Sequence, residues 1–368
     1  MVTPKRQFFG ALESMRGLAA LLVALCHMPP VLLFLTHHHF IKRGVLMVPF
    51  FFVLSGFVIC HNYADAITDR AKLGKFVFLR FFRIYPVHFC FLAVWFCFEI
   101  ARYIAAQHGV SAPATAPFRE NSVQALIENL LLVQALGFTD HAATFNGPSW
   151  SISVEFYTYI LFGILVLFTR AHLASVSAGI SAIALILLWR GDTGNFFYLL
   201  SCLAGFFLGC LTWFAGRNVR IASAYAPAIA LFTFFGYLAS SLPDLMIYPL
   251  SAVLILTLTG GNGLAAKVLL LPPLRWLGRI SYSLYLSHAA VVWVAGLGMS
   301  RLAGVSLSEH AGNRFASLGI GMEIVFYCVT LAAVLIVADL TCRLIEDPFR
   351  LWSRNRQRQP ALVPVPAV

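Results

Sequence analysis

Apolar residues run through this chain in long stretches, and polar or charged residues arrive mostly as short punctuation between them. Crossing a hydrocarbon core takes ~20 apolar residues per helix, because every backbone polar group must be satisfied within the segment. On that measure the pattern predicts ten spans. They lie at roughly 11–35, 45–61, 85–105, 151–169, 174–190, 195–214, 222–241, 245–259, 281–300 and 317–342. Segment 122–138 differs, since it is amphipathic and holds Glu128, Asn129 and Gln134. It predicts an interfacial or partly inserted helix, with an eleventh span as the alternative. The predicted fold class is all-α, a polytopic membrane helical bundle over residues 1–350. A basic, Pro-rich cytoplasmic tail at 351–368 reads as disordered.

Composition narrows the function classes. Of 368 residues, 60% are hydrophobic and 11% charged, where a soluble domain carries about 25% charged residues. Mean hydropathy is +0.82. With so little charge, the medium around most helices must be membrane lipid. The net charge of +11 would suggest nucleic acid in a soluble chain. Here Lys and Arg sit in clusters between apolar runs, so no nucleic-acid partner is expected. Clusters at 5–6, 70–83, 217–220, 267–279 and 350–358 fall on one side. Only Lys42, Arg43, Arg119, Arg190, Arg301 and Arg314 fall mainly on the other. That asymmetry predicts cytoplasmic termini and an even span count.

No metal is expected. The eight cysteines show no ligand spacing, and the run His37–His38–His39 lacks carboxylate and Cys neighbours. The first apolar run has no small-residue cleavage site and reads as a retained span. No internal repeat and no sizeable soluble domain is visible, so any chemistry belongs to the bundle.

Ionisable residues inside spans are costly and therefore functional candidates. In LESMRGLAALLVALCHM, Glu13 and Arg16 can pair on one helix face, and His27 lies eleven residues beyond Arg16. Eleven steps return near the same face and rise roughly 16 Å. A neutral imidazole there suits a general base; a hydrogen-bonded bundle histidine is the bland alternative. Ser55–Gly56 in FFFVLSGFVI allows close approach of a helix or a ligand. In KFVFLRFFRIYP, Arg80 and Arg83 share a face, either to grip phosphates or to anchor the helix at the interface. In NGPSWSISVEFYTYI, Trp150 fits an interface, Ser151 can satisfy free amides at the helix start, and Glu155 needs a partner about two turns in. In GRISYSLYLSH, Ser281, Tyr285 and His288 form a polar stripe, serving as helix glue or as a site. Glu346 precedes Pro348 and reads as structural.

Taken in order, LESMRGLAALLVALCH, FFFVLSGFVI, FLRFFRIYP, NGPSWSISVEF, LGRISYSLYLSH and EDPF resemble the motifs of the acyltransferase-three family. Its members are bacterial membrane O-acyltransferases of the envelope and exopolysaccharide acetyltransferase type. The resemblance runs from Leu12 to Phe349. It implies a ten-span acyltransferase domain in the inner membrane and transfer of an acetyl or similar group from acyl-CoA. Acyl-CoA, probed first as acetyl-CoA, would be a donor substrate with no permanently bound cofactor. The acceptor would be a hydroxyl of a glycan or glycolipid. By the same resemblance Arg16 and His27 are the functional pair of the first motif, Arg80 and Arg83 the cytoplasmic arginine motif, and Glu155 the mid-chain glutamate. His27, Arg16 and Glu155 are the expected catalytic residues. Arg16, Arg80 and Arg83 are the expected donor-binding residues, and Trp150, Ser151, Tyr285 and His288 the expected acceptor-binding ones. Two positions depart from the family pattern. Glu13 replaces the usual first-motif aspartate, and Pro49 stands where an acidic residue often precedes the second motif.

A proton-coupled transporter is the rival from another class, because buried His, Glu and Arg also serve proton relays. A membrane sensor with polar helix glue is a third reading. The absence of paired repeats with interrupted helices weighs against the transporter.

Overall fold

The computed structural model describes residues 9–28, 39–109, 116–218, 221, 223–260, 263–302 and 320–357. Among these residues the secondary structure is helical, with no strand. The main helices are α1 (Gly10–Cys26), α2 (Met47–Tyr63), α3 (Arg70–Gln107), α4 (Val123–Leu131), α5 (Trp150–Thr169), α6 (Leu173–Arg190) and α7 (Phe197–Asn218). They continue with α8 (Ala226–Leu238), α9 (Ile247–Gly260), α10 (Leu264–Leu269), α11 (Pro272–Leu302), α12 (Ile320–Thr341) and α13 (Asp347–Arg356).

The packing follows a lipid solvent. On α6 the buried face is Leu173, Ser177, Ser181 and Ala184, while Ile183, Ile186 and Trp189 point outward. Small and hydroxylated residues therefore face protein and large apolar ones face out, the reverse of a water-soluble helix. Ser181 Oγ donates to the Ala204 carbonyl at 2.9 Å, stitching α6 to α7. Among the described residues, six helical segments are long and apolar enough to cross a membrane: 39–63, 70–107, 147–190, 194–218, 272–299 and 324–356. The third holds both α5 and α6, separated by the turn Arg170–His172. The expected ten spans are not reached by this measure. α1 has 17 residues, α8 13 and α9 14, all short of the ~20 that a perpendicular span needs.

Three expectations need correction. α3 is one continuous helix of 38 residues through Pro86, so the basic segment before the expected span at 85–105 is its own first half. Asp69 caps it by accepting from the Lys72 amide at 2.8 Å. α4 has only nine residues and is about 14 Å long, too short for an eleventh span. Its Val123, Ile127 and Leu131 are exposed while Asn129 is fully buried, so its polar side faces the protein. Finally, the helix α13 continues to Arg356, so the boundary drawn at 350 cuts through a helix. Residues 358–368 lie outside the described residues, as do His37 and His38.

Close helix contacts set the site. A β-carbon at Gly278 would overlap the Glu13 carbonyl, and one at Gly17 would meet Gly278 N at 2.5 Å. The backbones of α1 and α11 therefore touch, which small residues alone permit. Gly56 of α2 likewise abuts the Phe206 carbonyl of α7, and Gly209 of α7 abuts the Val53 carbonyl. Ser55, one residue from Gly56, is thereby turned toward the interior.

Candidate active site

A cavity of about 340 Å³ lies between α1, α2, α3, α5, α11 and α13. Its lining residues on α2 run from Val48 to Tyr63, about 22 Å at the helical rise. Phe9, Asn62, Tyr63, Arg80 and Arg354 border it where α1 begins and α2 ends. Val48, Phe51, Ser151 and Tyr285 close it at depth.

Charge is concentrated at the first of these ends. Arg16, Arg80, Arg83, Arg350 and Arg354 line the cavity against two carboxylates, Glu13 and Glu155. Arg16 is fixed by α11, donating from Nε to Ser281 Oγ at 2.8 Å and from Nη2 to the Gly278 carbonyl at 3.2 Å. The touching glycines make that reach possible. Arg80 packs over the Tyr63 ring at 5.4 Å. Arg83 Nη1 lies 3.8 Å from Glu346 Oε1, and the other oxygen of Glu346 accepts from Ser283 at 2.8 Å. Glu346 is buried in a π-helical turn, Cys342–Glu346, between α12 and α13. Glu346, read from the sequence as structural, thus contacts Arg83 of the basic segment.

The deeper wall is a chain of hydroxyls. Tyr159 Oη donates to Glu155 Oε1 at 2.6 Å and lies 2.9 Å from Ser55 Oγ. So the partner of Glu155 is a tyrosine on its own helix. Ser151 Oγ donates to Tyr285 Oη at 3.0 Å, and Tyr285 donates on to the Pro148 carbonyl at 3.0 Å. Phe51 meets the Tyr285 ring edge-on, with centroids 5.8 Å apart.

Six expected site residues thus share one cavity: Arg16, Arg80, Arg83, Glu155, Ser151 and Tyr285. Three do not line it. Trp150 packs against Tyr198 and Phe52, with centroids 4.4 and 5.9 Å away. His288 is fully buried behind Tyr285, their centroids 5.9 Å apart, and its Nε2 finds no partner among the described residues. His27 stands one residue beyond the end of α1, is exposed, and holds the Val23 carbonyl through Nδ1 at 2.8 Å. Helical spacing places it on the stripe of Arg16, but the helix stops at Cys26 and the cavity lining on α1 ends at Arg16. His27 instead faces His288, with ring centroids 5.1 Å apart.

Residue reasoning missed Arg350 and Arg354 as cavity residues, together with Tyr159 and Tyr63; Ser55, read as allowing close approach of a helix or a ligand, also lines the cavity. The arginines carried a signal: their i, i+4 spacing in FRLWSRNR gives a one-sided basic helix. Reading that stretch as a tail hid it.

At the far end of the bundle, Glu128 of α4 accepts from Thr139 at 2.8 Å, Gln124 at 2.9 Å and His141 at 2.9 Å. Burial opposes ionisation of Glu128, but these bonds outweigh it and hold the carboxyl below its ordinary range. The loop from Thr139 to Pro148 is pinned further by Asn146, whose Nδ2 donates to the Leu286 carbonyl at 3.0 Å. Asn146 and Ser149 are buried. No group of three or more His, Cys, Asp or Glu residues suited to a metal occurs among the described residues.

Comparison with known proteins gives a consistent picture. The profile of the acyltransferase domain family matches residues 9–343. A Komagataeibacter xylinus protein named as a membrane-bound transacylase is 25% identical over 312 residues, covering 77% of this chain and 73% of that protein. A Streptomyces mycarofaciens acyltransferase is 32% identical over 160 residues, covering 41% of this chain and 38% of its own. A Rhizobium radiobacter protein of the picA locus is 30% identical over 174 residues, covering 42% of this chain and 79% of its own. No solved structure matches.

Proposed function

Since the chain belongs to the acyltransferase domain family and is an acyltransferase, we propose that it moves an acetyl or similar short acyl group from acyl-CoA to a hydroxyl of a polysaccharide, glycolipid or related envelope or exported acceptor. It does so in the bacterial inner membrane with both termini cytoplasmic. The observation that supports this reading best is the shape and charge of the cavity. It is long, arginine-rich at one end and uncharged at depth, where Phe51, Ser151 and Tyr285 close it. Coenzyme A has the matching form, with phosphates at one end and a thioester at the tip of a thin arm. Guanidinium forks recognise phosphate oxygens through paired, charge-assisted hydrogen bonds.

In this mechanism Arg80 and Arg83 hold nucleotide phosphates, and Arg16, fixed by Ser281, guides the pantetheine arm. The thioester lies toward Ser151 and Tyr285. An acceptor hydroxyl oxygen bonds to the carbonyl carbon, the carbon–sulfur bond breaks, and coenzyme A leaves as the thiol. His27 takes the hydroxyl proton as general base and returns it to the departing sulfur, a contribution typically of about 10²–10⁴-fold. Glu155 acts through Tyr159 and Ser55 to shape the channel beside the arm. His288, behind Tyr285, orients His27 from the protein side, and Trp150 supports the acceptor side of the bundle through its stack on Tyr198.

Two measurements test the proposal. Purified protein with acetyl-CoA and envelope glycans should release free thiol only when acceptor is present. Mass spectrometry of glycans and glycolipids from cells with and without the protein should show one added acyl mass. Acceptor-independent silence in the first and identical glycan masses in the second would overturn it.

A further inference from the structure

The cavity carries more arginine than the family motif explains. α3 supplies Arg80 and Arg83, and α13 supplies Arg350 and Arg354, one turn apart on the same side of a second helix. The two helices are fastened together. Trp352 of α13 packs edge-on against Phe82, with centroids 4.9 Å apart, and also touches Phe78 at 6.2 Å. Lys75 Nζ donates to the Gln357 carbonyl at 3.1 Å. The π-helical turn before α13 sets its orientation. One extra residue in a turn rotates the rest of the helix by about 100°. The lipid-facing register of α12 thereby changes to one that turns Arg350 and Arg354 inward. Glu346, inside that turn, anchors it to Arg83 and Ser283.

Two half-buried arginines here have a buried Nε that is under-satisfied. The Nε atoms of Arg80 and Arg350 find no acceptor among the described residues. Among the described residues Arg350 is engaged through Nη2, with Asp347 at 2.6 Å. Buried N–H groups are normally paired; here Tyr159 engages Glu155 and Ser283 engages one oxygen of Glu346, whose other oxygen stands 3.8 Å from Arg83 without a hydrogen bond among the described residues. Two arginine pairs on two helices, with open donors on each, fit a ligand bearing phosphates at two separate points. Coenzyme A is such a ligand, with a diphosphate nearer the arm and a single phosphate on the ribose.

We propose that Arg350 and Arg354 bind the ribose phosphate of the donor while Arg80 and Arg83 bind its diphosphate. This rests on the reading that the donor is acyl-CoA. Arg354 lies a further turn, about 6 Å, along α13 from Arg350, toward the mouth, which is where the phosphate remote from the thioester would rest. The assignment makes α13 a specificity element that distinguishes coenzyme A from dephospho-coenzyme A, which lacks that phosphate.

The test measures binding of acetyl-CoA and acetyl-dephospho-CoA to the full-length protein and its Arg354→Gln, Arg350→Lys and Arg80→Ala variants. Wild-type protein should prefer acetyl-CoA by at least about tenfold. Arg354→Gln should lose that preference by weakening acetyl-CoA alone. Arg350→Lys, which keeps the charge and the Asp347 partner, should lose only part of it. Arg80→Ala should weaken both ligands alike. Equal weakening of both ligands by Arg354→Gln, or no weakening of either beside a clear Arg80→Ala effect, would overturn the assignment while leaving the donor reading intact. Failure of wild-type protein to bind either ligand would instead bring down the donor reading itself. Thermal unfolding of Arg354→Gln should match wild type, separating a lost ligand contact from a lost fold.

Discussion

The imidazole of His27, exposed at the end of α1, faces the fully buried imidazole of His288 at 5.1 Å between ring centroids. One ring can meet a substrate from outside the bundle, while the other touches Tyr285 of the cavity wall. The pair therefore stands between the inner end of the cavity and the opposite face. His27→Ala should abolish acyl transfer, by at least about 10² in kcat, with normal yield and donor binding. His288→Asn should lower kcat less and shift its pH profile, because it acts through the other ring. Near-normal transfer by His27→Ala would remove it from the chemistry.

Arg83 and Glu346 form the contact that ties the donor end to the C-terminal helix. Arg83→Ala strands a buried carboxylate, which should cost roughly 3 kcal/mol of stability. The double variant Arg83→Ala/Glu346→Gln should recover most of that loss in thermal unfolding but not the affinity for acyl-CoA. Arg80→Ala, which gives up contact with Tyr63 instead, should raise the donor KM roughly tenfold with little change in unfolding. Equal destabilisation by Arg80→Ala and Arg83→Ala would show that the contact with Glu346 carries no special weight.

Much of this arrangement was legible in the chain. Dense apolar runs gave the class, and polar or ionisable residues in and beside them gave six members of the cavity, because polar groups at membrane depth demand partners. What stayed hidden were properties of three-dimensional register. His27 keeps the stripe of Arg16, but the cavity lining on α1 ends at Arg16 and His27 meets His288 instead, and no helical periodicity announces where a cavity ends. A single π-helical turn at Cys342–Glu346 turns a basic tail into a cavity wall. The polar side of α4 faces inward because Asn129 bonds through its side chain to Thr144 and through its carbonyl to His88 of α3. From sequence alone the same amphipathic pattern fits a helix lying on a membrane surface.

The contact of α1 with α11 can be broken by one methyl group. Gly278→Ala drives a β-carbon into the Glu13 carbonyl, and overpacking of this kind costs typically about 1–3 kcal/mol. It should also pull Ser281 away from Arg16 and lower donor affinity. Gly74→Ala on α3, where nothing lies within 4 Å, should be neutral or stabilising by up to about 1 kcal/mol from helix propensity. Similar unfolding curves for the two variants would contradict the close crossing.

Phe51 stands edge-on to Tyr285 at the closed end of the cavity. If the acyl group lies there, Phe51→Ala makes room for additional methylenes. The ratio of kcat/KM for butyryl-CoA over acetyl-CoA should then rise by about tenfold or more, in the range that one or two methylenes are worth in an apolar pocket. An unchanged ratio would place the acyl group elsewhere.

The arginine-rich end of the cavity and His27 belong to opposite ends of the bundle, and with the proposed function that predicts a topology. α5 ends beside α2, where Arg170 Nη2 bonds to Asp65 at 3.0 Å, so the loop that precedes α5 lies at the other end, with His27. On the proposed function, a glycan hydroxyl arrives from outside the cytoplasm while acyl-CoA enters from within. Asp140 and Ala143 are exposed on that loop, and Lys72 is exposed at the head of α3. In a chain with Cys97 and Cys328 replaced by Ser, Asp140→Cys and Ala143→Cys should react with a membrane-impermeant thiol reagent added to intact spheroplasts. Lys72→Cys should react only after the membrane is opened. Glycan acceptor should slow labelling at Ala143→Cys, and acetyl-CoA should slow it at neither loop site. The reverse pattern, with Lys72→Cys labelled from outside, would put the arginines on the acceptor side. A cytoplasmic donor could not then reach them, and transfer through the membrane would fail as a mechanism.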